Sequence, residues 1–216
     1  MNGTLASLSG GSLSISSSKF SDFYALKDII EGIEGTILQV TDSSFENFSS
    51  RSVAKLEDSH VTSSNTIFKA NNTQRELNGT RYTRAFEAYS SFLTLEGNTF
   101  ENLASDIGGA IYIRNSNGSI AGNTFARNTA TKGGSIAFSC GMEYMSEVSL
   151  DRNTFVNNVA QEGGAIHYDL FRPAIGTTNI FTNNTAEYGT EYASYPAYLE
   201  YPDASYLTGI ASGQQI

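Results

Sequence analysis

The sequence predicts an all-β fold, a single right-handed parallel β-helix of about seven coils followed by an extended, Tyr-rich C-terminal segment. Two motifs that recur in phase carry this prediction. Asn-Thr-Phe stands at 98–100, 123–125 and 153–155, and a Gly pair follows each Phe by eight residues. Motifs that keep their phase over repeats of 25 to 30 residues indicate a repeat protein, in which each unit packs on its neighbours.

Each repeat contains two stretches with the spacing of β-strands. The first alternates apolar and polar residues, as in Leu13–Ile15, Leu93–Leu95 and Val148–Leu150. The second follows the Gly pair, as in Ala110–Ile113 and Ala165–Tyr168. A period of two places one side chain inward and the next outward. Because Gly-Gly, Asn-Thr and β-branched residues oppose helix formation, strands are the better interpretation.

A unit of this length cannot bury its own apolar face, so equivalent residues must stack from coil to coil at about 4.8 Å. The expected aliphatic column is Ile15, Val40, Leu95, Ile120 and Leu150. The expected aromatic column is Phe20, Phe45, Phe100, Phe125, Phe155 and Phe181. The Asn two residues before Phe is expected at a turn with positive φ, where stacked amides can bond from coil to coil. The Gly pair provides a second corner, and parallel crossovers are overwhelmingly right-handed.

The repeat pattern ends near residue 190. We expect residues 1–190 to form the β-helix and residues 191–216 to form an extended segment that acts as a cap, a linker or an exchanged strand. Aromatic side chains are enriched at interfaces, so the tyrosines of this region are candidates for self-association, with stacking on sugar rings as an alternative. They are Tyr188, Tyr192, Tyr195, Tyr198, Tyr201 and Tyr206.

The composition excludes several classes of function. A net charge of −9 with scattered basic residues opposes binding to nucleic acid or to an anionic membrane. No apolar run approaches the roughly 18 residues that a membrane span needs. The Gly pairs lack the calcium-binding pattern of β-helix repeats, so neither a metal nor another cofactor is expected. The single Cys140 lies in an apolar run and is interpreted as a small buried residue.

Six Asn-x-Ser/Thr sequons favour a secreted protein that carries N-linked glycans at its surface. The candidate sites are Asn2, Asn47, Asn71, Asn78, Asn117 and Asn183. An extracellular or cell-surface location follows as an expectation.

Gly-Gly-Ala-Ile at 108–111 and 163–166, together with Phe-x-x-Asn at 125–128 and 155–158, resembles the repeat pair of chlamydial polymorphic outer membrane proteins. The pattern is also similar to pectin-lyase-like β-helix segments of large ciliate and other protist surface proteins. The resemblance is strongest over residues 92–200. It implies an adhesive passenger or stalk at a cell surface, with no catalysis by the repeats.

Two functions remain open from the sequence. The first is a structural or adhesive module that polymerises head to tail, because the open ends of a β-helix present unpaired strand edges, and a cell-surface or carbohydrate ligand is compatible with it. The second is a polysaccharide-binding or polysaccharide-cleaving β-helix, in which Arg114, His167 and Asp169 share an outer face. These three residues are spread over too many coils for a compact acid-base site, so we expect a protein that is not an enzyme.

Overall fold

The computed structural model describes residues 4–71, 83–141, 144 and 146–195. Among these residues there are strands and turns but no helix. In chain order the strands are β1 (Ala6–Ser9), β2 (Ser12–Ser16), β3 (Lys19–Ser21), β4 (Ile30–Ile33), β5 (Ile37–Thr41), β6 (Ser44–Phe48), β7 (Ser52–Glu57), β8 (His60–Ser64), β9 (Ile67–Ala70), β10 (Arg84–Tyr89), β11 (Phe92–Glu96), β12 (Thr99–Glu101), β13 (Ile111–Arg114), β14 (Asn117–Ala121), β15 (Thr124–Ala126), β16 (Ile136–Ser139), β17 (Val148–Asp151), β18 (Thr154–Val156), β19 (Ile166–Tyr168), β20 (Ala174–Ile175), β21 (Ile180–Thr182) and β22 (Tyr192–Ser194).

Every third strand joins the same parallel sheet. Sheet A has eight strands in the order β1-β4-β7-β10-β13-β16-β19-β22, sheet B runs from β2 to β20 and sheet C from β3 to β21, with seven strands each. Three consecutive strands therefore make one coil, seven coils are complete, and β22 begins an eighth. The predicted right-handed parallel β-helix is confirmed. The sequence predicted two strands per coil, whereas the structure has three, because the short Thr-Phe segment is itself a strand.

Both predicted apolar columns lie inside the solenoid. The Phe rings stack with nearly parallel planes, with centroids 4.8 to 5.4 Å apart from Phe20 to Phe181. Each such pair adds about 0.5–1.5 kcal/mol to the free energy of burying the rings. The aliphatic column is interrupted at Ser63, whose register partners are Val40 and Leu95. The Ser63 hydroxyl is buried, and it donates to Asn98 Oδ1 at 2.9 Å.

The Asn residues that precede Phe form a buried amide ladder. Asn98, Asn123 and Asn153 each donate from Nδ2 to Oδ1 of the Asn in the next coil, over 3.0 to 3.1 Å, and the ladder ends at Asn179. The predicted bonding from coil to coil is therefore present. The predicted positive φ at these Asn residues is wrong, because the left-handed conformation falls one residue earlier, as at Gly122 (φ 64°).

The Gly pairs form the predicted corner between sheets C and A. The first Gly adopts a left-handed conformation, as at Gly133 (φ 62°). The second lies against the next coil, so that a Cβ at Gly109 would stand 2.1 Å from the carbonyl oxygen of Gly134. Both positions thus exclude larger residues, the first through its φ and the second through close backbone packing.

Candidate functional site

The N-terminal end of the solenoid is an open sheet edge. Strands β1, β2 and β3 are the outermost strands of their sheets, and within the described residues no strand pairs with their free side. The apolar core is only partly covered at this end, because Phe20 and Phe23 are half-buried and Leu5 is 53% exposed. These three side chains, with Tyr24 and Ile29, line a cleft of about 370 Å³. Such an end is a template for pairing with another chain.

The C-terminal end of the described chain is stepped. In sheet A the last strand is β22, which pairs with β19, whereas sheets B and C end one coil earlier at β20 and β21. Residues 192–194 therefore continue sheet A beyond the predicted boundary at residue 190. Phe181 and Ile175 are only half-buried at this end.

Three of the six candidate tyrosines lie among the described residues. Tyr188 is 50% exposed and forms an isolated parallel bridge with Glu162 of the preceding coil. Tyr192 belongs to β22, and its ring contacts Phe181 edge to face at 6.4 Å. Tyr195 is 47% exposed and folds back onto the outer face of sheet A. Tyr198, Tyr201 and Tyr206 lie outside the described residues.

A buried charged cluster occupies the outer face of sheet A in coils 3 to 5. The Arg84 guanidinium lies 3.2 Å from the Glu87 carboxylate, and both side chains are almost fully buried. Glu87 is also 3.7 Å from Arg51 and accepts a hydrogen bond from the hydroxyl of Tyr89. Burial and this hydrogen bond raise the pKa of Tyr89 above its usual range. The Arg84 guanidinium also lies over the ring of Tyr112, 5.6 Å from its centroid.

A carboxylate of the preceding coil lies near this cluster. Asp28 is buried and accepts a hydrogen bond from the Ser52 hydroxyl at 2.6 Å. Burial raises the pKa of Asp28 in spite of that hydrogen bond. The cluster therefore contains acids and bases that compensate one another, which is the usual arrangement of structural buried charges.

A second cluster lies on the same face in coils 6 to 8. Lys132 Nζ is 3.2 Å from Glu162 and 4.0 Å from the centroid of the Tyr195 ring. His167 is 3% exposed, and its Nε2 lies 3.3 Å from Glu162 without the alignment of a hydrogen bond. Burial, together with the positive charge of Lys132, lowers the pKa of His167. Tyr195 covers the imidazole edge to face at 5.3 Å, so the cluster is largely closed.

The outer-face residues Arg114, His167 and Asp169 do not form a compact site, in agreement with the sequence spacing. Arg114 is exposed in coil 5, two coils from His167. The Asp169 carboxylate accepts hydrogen bonds from the backbone N–H groups of Cys140 and Leu170, which is a structural role. Cys140 is buried, and its thiol lies 2.9 Å from the carbonyl oxygen of Tyr144.

All four sequon asparagines among the described residues are exposed. Asn47 and Asn183 lie at the corner after sheet C, each with a φ of 53°. Asn71 follows β9 near the same corner, and Asn117 begins β14 in sheet B. Asn2 and Asn78 lie outside the described residues. The positions are thus accessible to modification on two edges of the solenoid.

A second amide ladder was not predicted. Asn128 Oδ1 accepts the backbone N–H of Leu103 at 3.0 Å, and Asn128 N–H donates to Asn158 Oδ1 at 2.9 Å. Asn158 Nδ2 continues the ladder to Asn184 at 2.9 Å. The Asn of Phe-x-x-Asn is the signal that could have shown it, because it recurs in phase with the Phe column.

Within the described residues, no group of three His, Cys, Asp or Glu side chains is placed to hold a metal ion. No helix in that part of the chain is long and apolar enough to cross a membrane. No family model, curated protein or solved structure matches the chain.

Proposed function

We propose that this chain is a structural or adhesive module of an extracellular glycoprotein, and that copies of it associate end to end through the open ends of the solenoid. The observation that carries the proposal is that, among the described residues, β1, β2 and β3 leave an apolar core half-covered at an open parallel edge. A head-to-tail contact joins the N-terminal end of one copy to the C-terminal end of the next. Because the two surfaces differ, the contact can repeat and form a filament.

The stepped C-terminal end supports the same arrangement. Because sheet A extends one strand beyond sheets B and C among the described residues, β1 of a second copy could add to β22 by β-augmentation. The half-buried Phe181 and Tyr192 would then be shielded further. The four exposed sequons support an extracellular location, and the resemblance to surface-protein repeats points in the same direction.

The test is the molecular mass in solution as a function of concentration, by light scattering and negative-stain microscopy. We expect growth in steps of one chain. Leu5→Glu places a charge on the open N-terminal end at a residue that is 53% exposed, so it should reduce association with little loss of core packing. The matched control is Ile67→Glu, at a residue that is 42% exposed on sheet C away from the ends. A monomer at every concentration, or equal effects of the two variants, contradicts the proposal.

The alternative function is binding or cleavage of a polysaccharide on the outer face of sheet A. The cluster of Lys132, Glu162 and His167 favours it, since it combines groups that transfer protons. Release of unsaturated or reducing sugar from uronate polymers, lost in Glu162→Gln, would support this alternative. Full activity in that variant would exclude this cluster as the site.

A further inference from the structure

An exposed apolar strip lies on the outer face of sheet B. Ile37, His60 and Phe92 occupy the same register position in coils 2, 3 and 4. Ile37 and Phe92 are each 46% exposed. The ring of His60 stacks on that of Phe92, with centroids 6.0 Å apart. Contiguous apolar side chains at a surface indicate a partner that covers them.

The next residue in the same column is the glycosylation candidate Asn117. It is the register partner of Phe92, so the two residues are neighbours at a strand spacing of about 4.8 Å. Asn117 is exposed and is followed by Gly118 and Ser119, which complete the sequon. An N-linked sugar would therefore be attached at one end of the apolar strip.

The Asn117 amide binds coil 6 through its oxygen and not through the nitrogen that would carry a sugar. Its Oδ1 accepts the backbone N–H of Glu147 in coil 6 at 2.7 Å. Because a backbone N–H requires an acceptor, the oxygen of the amide must face coil 6. Nδ2, the atom that carries an N-linked glycan, is therefore not the amide atom that binds coil 6, and Phe92 is the neighbour of Asn117 on the opposite side. Glycosylation keeps Oδ1 as an acceptor, so this hydrogen bond is retained.

We propose that an N-linked glycan on Asn117 folds back over Phe92, His60 and Ile37 and covers the strip. The apolar C–H face of each sugar would pack on these side chains, since one pyranose unit is about as long as one coil spacing of ~4.8 Å. Attachment transfers the glycan from a lipid diphosphate donor. The bond between the anomeric carbon and Nδ2 forms, the bond from that carbon to the diphosphate oxygen breaks, and Nδ2 loses one proton. The inference rests on the proposed extracellular glycoprotein.

The experiment is a double-mutant cycle on the full chain secreted from eukaryotic cells. Ser119→Ala removes the sequon and keeps Asn117, whereas Ser119→Thr preserves both. We expect mass spectrometry to find Asn117 occupied, and Ser119→Ala to lower the Tm by about 2–4 °C. In a Phe92→Ser background, Ser119→Ala should leave the Tm unchanged within experimental error. In chain made in bacteria without N-glycosylation, Ser119→Ala should have no effect in either background.

Ser49→Ala is the control for a glycan elsewhere, because it removes the Asn47 sequon and the Ser49 hydroxyl is buried without a hydrogen-bond partner. Its effect should be independent of Phe92. An occupied Asn117 whose loss has the same effect with and without Phe92 overturns the inference, as does an empty Asn117 beside other occupied sequons. If every sequon is empty, the glycoprotein proposal fails instead, and end-to-end association is measured separately by light scattering.

Discussion

Replacing Asn123 by Ala should destabilise the solenoid much more than the small change in volume implies. The Asn123 side chain is 1% exposed. Its Oδ1 accepts the backbone N–H of Asn98 at 2.9 Å and Asn98 Nδ2 at 3.0 Å. Its Nδ2 donates to the carbonyl oxygen of Leu95 at 2.9 Å and to Asn153 Oδ1 at 3.1 Å. Nδ2 also donates to the carbonyl oxygen of Ala121 at 3.0 Å, so the substitution removes five bonds.

The magnitude follows from the two donors of Asn98 that lose Asn123 as their acceptor. A buried donor left without an acceptor costs about 1–3 kcal/mol, so the free energy of unfolding should fall by about 4 kcal/mol. This is a large part of the roughly 5–15 kcal/mol that stabilises a typical domain. Thr124→Ala is the control, because Thr124 is the next residue but faces outward and is half-buried. It should change stability by less than about 0.5 kcal/mol.

The assay is equilibrium unfolding in urea, followed by circular dichroism at the β-sheet signal. The difference in midpoint gives the difference in stability when the slopes agree. A lower slope for Asn123→Ala would mean that the two halves of the repeat array unfold separately. If Asn123→Ala and Thr124→Ala have equal midpoints and slopes, the amide ladder is not a source of stability, and the reasoning is refuted.

Three further changes have expected outcomes. Because the pKa of buried His167 is lowered, this side chain is protonated at a higher pH in the unfolded state than in the folded state. The free energy of unfolding should therefore fall as the pH decreases below about 6.5. His167→Gln should flatten this pH dependence in thermal unfolding. Glu87→Gln removes the carboxylate facing Arg84 and should cost about 3–5 kcal/mol by urea unfolding. Gly134→Ala places a Cβ 2.1 Å from a backbone oxygen and should prevent folding. Gly122→Ala has a φ of 64° but places its Cβ no closer than 3.9 Å to a neighbouring atom, so it should cost about 1–2 kcal/mol. Equal expression and circular dichroism of the two variants would contradict this.

The inward positions of this fold could be predicted because repetition reports packing directly. Phe125 and Leu150 recur in phase since a neighbour of the same shape must lie above and below each of them. The Gly corner was predictable for the same reason, because Gly133 and Gly163 occupy equivalent left-handed positions in successive coils. Each of these residues is determined by contacts with the equivalent residues of the neighbouring coils.

The features that sequence reasoning missed depend on contacts between different parts of the coil. In several coils the third strand is only three residues long, as at Thr124–Ala126. Such a strand is too short for an alternation of apolar and polar residues to be visible in the sequence. Glu87, the buried partner of Arg84, lies on an outward-facing column. Periodicity assigns such residues to solvent and contains no information about what covers them.

Burial of the outer column of sheet A bears on the two functional proposals. In this column Tyr112 is half-buried, and Glu87, Ala137, His167 and Ala193 are each at most 3% exposed, although the strand period directs them outward. A polysaccharide needs an open row of sugar subsites, and this face offers little accessible surface along those coils. Sheet B, by contrast, exposes Phe92, and the N-terminal end exposes Leu5. These two exposed apolar residues lie where a glycan or a second copy can cover them, which favours the structural and adhesive proposal over catalysis.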